Sequence, residues 1–147
     1  LAASQPGFKR DGWESRLRKD SAFYLIRYRD GLQATLAMAN GVSGNFGFAA
    51  KLKGEAKPAA CRHALEDKRP YGHFAHLVKG IEQMVHTGKP AYPVERTLLT
   101  TGILDRAMHS LADGQKTYNT PELAIAYKAV DWPFATGTVG TPPSKAD

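Results

Sequence analysis

A run of strands followed by a run of helices predicts an α+β fold: a mainly antiparallel open sheet with two consecutive helices packed on one face. Three observations carry it. Apolar residues alternate with polar ones between residues 22 and 52, punctuated by Asp30-Gly31 and Asn40-Gly41. A one-sided apolar stripe follows at 73–87. A long apolar segment, Pro93–Asp113, then stands between a proline and a glycine.

Residues 1–20 read as an N-terminal extension, polar and irregular through Pro6 and Gly7, with a short helix around Trp13–Lys19 docked by Trp13 and Leu17. From Ala22 the period changes. AFYLIRYR places Tyr24, Ile26 and Tyr28 on one face and Phe23, Leu25, Arg27 and Arg29 on the other, and its first half reads as buried on both sides. Asp30-Gly31 favours a two-residue hairpin turn, returning LQATLAM with Leu32, Ala34, Leu36 and Met38 on one face. Asn40-Gly41 repeats the signal ahead of NFGFAAKLK, which sets Phe46, Phe48, Ala50 and Leu52 against small or polar residues. These three strands form an antiparallel meander. AKPAACRHAL adds a fourth, which Pro58 confines to an edge or a strand start.

His73–Thr87 is the cleanest amphipathic helix, with Phe74, Leu77, Val78, Ile81, Met84 and Val85 on a stripe that faces the sheet or the second helix. Gly88 stops it, and Lys89–Pro93 forms a stiff link. In the next helix Pro93 takes the first turn, Glu95 suits its unpaired N–H groups and Gly114 ends it. Val94, Leu98, Leu99, Ile103, Leu104, Ala107, Met108 and Leu111 spread around its circumference, so it packs on more than one side. Thr100-Thr101-Gly102 admits a close neighbour. TPELAIAY gives a closing strand with Leu123, Ile125 and Tyr127 on one face. The domain spans 21–132, and 133–147 is a flexible tail anchored by Trp132 and Phe134.

Composition narrows the function classes. No apolar run approaches the ~18 residues of a membrane span, no signal peptide is visible, and a cytoplasmic protein is expected. Leu1 in place of methionine suggests a chain cut or excerpted from a longer one. The +6 net charge lies in the first half: residues 1–30 hold seven basic and four acidic side chains, 51–70 six and three, and 71–147 seven of each. Acids interleave the bases and no nucleic-acid motif accompanies them, so a solvated basic face is expected and not nucleic-acid binding.

Chemistry is sparsely marked. Neither a dinucleotide nor a nucleotide phosphate loop is present. The single Cys61 forms no disulfide framework, and His63 would share its face if the segment is a strand. His73 and His76 stand at i,i+3 with no third metal ligand identifiable. Asp105 shares a side with Val94, Leu98 and Thr101, is expected to be partly buried, and calls for a donor such as Arg27 or Arg29. Asp105 and His73 are therefore the candidate catalytic residues, and His76, Glu95 and Arg96 the candidate substrate-binding ones. A small hydrolase or lyase would pair Asp105 with His73 or His109. Glu95 and Arg96 also suit a first-turn carboxylate and a salt-bridging arginine.

HFAHLVKGIEQMVHTGKPAYPVERTLLTTGILDRAMHSLADGQKTYNTPELAIAY resembles the C-terminal end of the Gfo/Idh/MocA oxidoreductases, where a helix ending in a Thr-Gly turn precedes a long helix, a glycine and a closing strand. YRDGLQATLAMANG upstream is similar to that family's sheet strands, particularly in a bacterial branch of uncharacterised members, so the likeness covers about 21–132. It implies the substrate-pocket and oligomerisation domain of an NAD(P)-dependent enzyme, a homo-oligomer through its sheet face acting on a small molecule. NAD(P) is implied only for a longer parent that carries the Rossmann domain. The family's glycine fingerprint, Glu-Lys-Pro segment and Asp-to-His catalytic spacing are absent here, and GKP at 88–90 lies in the interhelical link. No catalytic residue is carried over. The alternative is a stand-alone interaction or small-ligand module that dimerises through its sheet.

Overall fold

The computed structural model describes residues 11–44, 46–63, 65–66, 68–69 and 71–131. The chain divides into two compact units, residues 1–65 and 66–147, a division that falls inside the segment read from sequence as one domain. It is a mixed α+β protein with open antiparallel sheets. The expected anchors Trp132 and Phe134, and the rest of the tail, lie outside the described residues.

The first unit contains α1 (Trp13–Asp20), β1 (Ala22–Arg27), β2 (Gln33–Met38), β3 (Phe46–Ala50) and β4 (Ala59–His63). β1 pairs antiparallel with β2, setting Tyr24 opposite Leu36 and Ile26 opposite Ala34. Side chains point alternately to the two faces of a strand, so Tyr24, Ile26, Ala34, Leu36 and Met38 share one apolar face. The burial of β1 alternates strictly, and Leu25 on the other face is 80% exposed. Its first half is thus sheltered on one side only.

The loop between them also departs from expectation. Tyr28 N–H donates to the Leu32 carbonyl at 2.8 Å and Gly31 N–H to that of Tyr28 at 3.1 Å, leaving residues 29–31 as a three-residue loop. Gly31 takes φ 92°, the left-handed position such loops need. The Asp30 carboxylate accepts from Leu32 N–H at 3.0 Å, a local bond that draws the chain past the two-residue turn.

The meander stops at β2. Val42 and Ser43 both donate to the Ala39 carbonyl, at 3.1 and 3.0 Å, so 39–43 curls into a compact turn. Val42 at its tip is fully buried. β3 pairs with β4 instead, Phe48 opposite Cys61 and Phe46 opposite His63. The predicted single sheet is therefore two separate two-stranded sheets. Pro58 precedes the first residue of β4, where its missing N–H costs no ladder bond.

The second unit contains α2 (His73–Thr87), α3 (Val94–Ala112) and a 3-10 turn at Pro121–Leu123. α2 ends on Gly88 at φ 65°, whose N–H bonds the Met84 carbonyl at 2.9 Å. Pro93 stands just outside α3, at φ −62° and ψ 144°, rather than within its first turn. At the other end Gly114 adopts φ 68°, and Gln115 N–H reaches back to the Ser110 carbonyl at 2.7 Å, closing the helix in the manner of a Schellman motif.

The close neighbour expected at Thr100-Thr101-Gly102 is Leu123. A Cβ at Gly102 would collide with the Leu123 methyl groups. Leu123 belongs to the 3-10 turn, so the closing strand over 120–127 is replaced by that turn and an irregular segment. Pro121 opens the turn, and no described strand of this unit offers a ladder for 123–127.

Apolar faces remain open. Among the described residues only Val42 and Ala107 are buried hydrophobics. The α2 stripe is uncovered, from Met84 at 41% exposed to Val85 at 73%, and in α3 Leu98, Leu104, Met108 and Leu111 are exposed as well. Packing of α3 on several sides is limited to Ala107 and to the partly buried Leu99, Gly102, Ile103, Arg106 and Ser110.

Candidate functional site

The second unit holds a groove of about 920 Å³. Its floor comes from α2, where Leu77, Ile81 and Met84 recur at helical spacing on one face with His76 and Gly80 beside them. The link Pro90–Pro93 and the first turn of α3 form the opposite wall, and Tyr127, Ala129 and Val130 close one side. The two prolines constrain this geometry: their locked φ angles stiffen the link, which bends at Ala91 and Tyr92, and start α3 at a defined point.

That start places Tyr92 under Arg96, whose guanidinium carbon lies 4.3 Å from the ring centroid. An exposed cation over an aromatic face gains about 0.5–1 kcal/mol and holds its orientation. All three sequence-named binding residues, His76, Glu95 and Arg96, line this groove. Arg96 makes no ion pair among the described residues, so it is not the salt-bridging arginine that sequence also allowed.

The candidate catalytic residues stand apart from the groove lining. His73 accepts a hydrogen bond at Nδ1 from the Glu66 backbone N–H at 3.1 Å, and its ring rests against Phe74 with centroids 4.5 Å apart. The Glu66 carboxylate in turn accepts from Gly72 N–H at 2.6 Å. This exchange satisfies an orphan donor at the start of α2, and it gives His73 a structural task. Asp105 is not partly buried as expected: its side chain is 54% exposed. The reason is local, since the side of α3 that it shares with Val94, Leu98 and Thr101 is itself uncovered. Its neighbours are Arg106, at 3.8 Å, and His109, whose Nδ1 lies 3.6 Å from the carboxylate and 2.9 Å from the Asp105 carbonyl. Among the described residues Asp105 and His73 share no hydrogen-bond or ion-pair partner.

Cys61 and His63 do share a face of β4, and both are exposed. No group of three or more His, Cys, Asp or Glu side chains among the described residues could hold a metal ion. No helix among them is long and apolar enough to cross a membrane.

One further polar cluster ties the end of α3 to the chain beyond it. Arg106 binds Glu122 through Nε and Nη2, each at 3.0 Å. The Tyr118 hydroxyl donates to the Asp113 carboxylate, with the Arg106 and Lys116 cations 5.9 and 5.3 Å from its ring. That hydrogen bond, with some desolvation and the Asp113 charge, raises the Tyr118 pKa above its usual 10.0, while Arg106 opposes the shift.

Sequence reasoning missed Tyr92 and Tyr127. Tyr92 had a readable signal, because an aromatic four residues before an arginine across a proline-fixed helix start meets it on one side. Tyr127 had none, since only tertiary structure brings it to the groove. No family model, no curated protein and no solved structure matches this chain.

Proposed function

We propose that the chain is the substrate-pocket and oligomerisation domain of an NAD(P)-dependent oxidoreductase of the Gfo/Idh/MocA type, without catalytic activity by itself. The observation that carries this reading is the open apolar surface of both units. β1, β3, α2 and α3 all present large hydrophobic side chains to solvent while only two hydrophobic residues among those described are buried. Burying a Leu, Ile or Phe fully is worth about 1.5–3 kcal/mol, so faces of this kind gain stability by meeting further protein. The resemblance over residues 21–132 names the kind of protein, and the α2–α3 groove is of a size to take a substrate.

Calorimetry with NAD and NADP tests it, on this chain and on a longer product of its reading frame. Binding by the longer product alone is the expected result; binding by neither overturns the assignment. A second reading is favoured by the apolar face of β1–β2: a stand-alone interaction or ligand-binding module that dimerises through that face. It requires this chain by itself to sediment as a stable dimer.

A further inference from the structure

We propose that the α2–α3 groove binds a small organic anion with a flat apolar body, its carboxylate paired to Arg96. The inference rests on the groove being the ligand pocket of the preceding section and names the class of ligand it takes.

Size and lining set the body of the ligand. A groove of about 920 Å³ falls in the range of small-molecule sites, roughly 300–1,000 Å³. Leu77, Ile81 and Met84 give it an apolar floor, and Tyr92 and Tyr127 add aromatic surface. An inorganic anion would leave that floor wet; a planar hydrocarbon covers it.

Arg96 sets the charge. Arg106, on the same helix, has Glu122 at 3.0 Å and Asp105 at 3.8 Å. Arg96 has no carboxylate within ion-pair distance among the described residues, and its guanidinium is held over Tyr92 at the wall of the groove. The planar guanidinium matches a carboxylate through two parallel N–H bonds. Glu95 also lines the groove and opposes an anion, but it lies beyond ion-pair distance of Arg96 and so does not neutralise it. His76 on the α2 wall supplies a second hydrogen-bonding group. A polyanion is a poorer fit: residues 66–147 carry nine basic and nine acidic side chains, so this unit has no net field to attract one.

The test is calorimetric titration of the full chain with 2-naphthoate and its uncharged analogue 2-naphthamide. The acid is expected to bind at one site about tenfold or more tighter than the amide, the ratio of one charge-assisted hydrogen-bonded pair. Arg96→Gln should remove that preference, weakening the acid far more than the amide, and Glu95→Gln should tighten the acid a few-fold by removing a nearby like charge. Gly80→Leu, which fills the α2 wall, should abolish binding of both. Equal binding of acid and amide by the unmodified chain, no binding of either, or a preference that survives Arg96→Gln overturns the proposal. The acid–amide comparison needs no variant and so does not depend on the folding of one. Selectivity for the acid without nicotinamide binding by the longer product would sink only the oxidoreductase assignment, and the converse would sink only this one.

Discussion

Helix α3 and the β1–β2 hairpin are both exposed on several sides, but they are held differently. α3 is fixed at three points: Pro93 before its first turn, Leu123 against Gly102 at its middle, and the Gly114–Gln115 closure at its end. β1–β2 is held by its ladder and a three-residue loop, with one face open. Two-stranded ribbons are marginal in water without a surface to pack on. The contrast separates order supplied by the chain itself from order that needs further contacts.

Hydrogen exchange on the full chain gives the largest test of that difference. Amides in the middle of α3 should be protected about a hundredfold more than those of β1–β2, since exchange follows local opening free energies. Equal protection would show the ribbon to be as self-sufficient as the helix, and the contrast would fail.

A smaller effect probes the middle anchor. Gly102→Ala places a methyl group against Leu123, and overpacking of this kind costs about 1–3 kcal/mol. The helix-propensity gain of about 1 kcal/mol offsets part of it. Urea unfolding should therefore show a net loss of about 1 kcal/mol, reversed when Leu123→Ala is present in both members of the pair. A loss that persists without Leu123 would remove that side chain as the anchor.

The smallest effect concerns the end of α3. Because the folded Tyr118 pKa is raised above 10.0, the phenol–Asp113 bond contributes in full below pH 10 and is lost as pH rises through the higher folded value. Melting temperatures measured across about pH 9–11 should fall more for the parent chain than for Tyr118→Phe. Parallel curves would mean that this bond adds nothing to the closure of α3.

The same distinction explains what could be read in the sequence. The span of α2 and nearly that of α3 were legible because Gly88, Pro93 and Gly114 act within a few residues of the ends they set. The four strand segments were legible, and so was the antiparallel pairing of β1 with β2; the partner of β3 was not. Asn40-Gly41 fits a hairpin, yet the bonds from Val42 and Ser43 to Ala39 form a different turn, and β3 finds β4. Alternation in 123–127 suggested a strand, but a strand needs a neighbour and Leu123 is engaged by Gly102. Likewise the helical period placed Asp105 correctly around its axis without showing that nothing covers that side. Of the groove, His76, Glu95 and Arg96 could be named from sequence, whereas Tyr127 depends on where the chain goes after the 3-10 turn.

Pairing in two ribbons rather than one sheet leaves every described strand with a partner on one side only. An unpaired strand edge invites the edge of another molecule, and charges close to such edges are a common defence. Here Arg27 ends β1, Arg29 sits in its loop, Lys51 and Lys53 follow β3, and Arg62 lies within β4. Residues 1–65 hold eleven basic and five acidic side chains, the whole of the protein's +6 charge. The positive half of the molecule is thus the half that bears the described strands, and repulsion between like charges near these edges opposes edge-to-edge pairing, an opposition that rising salt weakens.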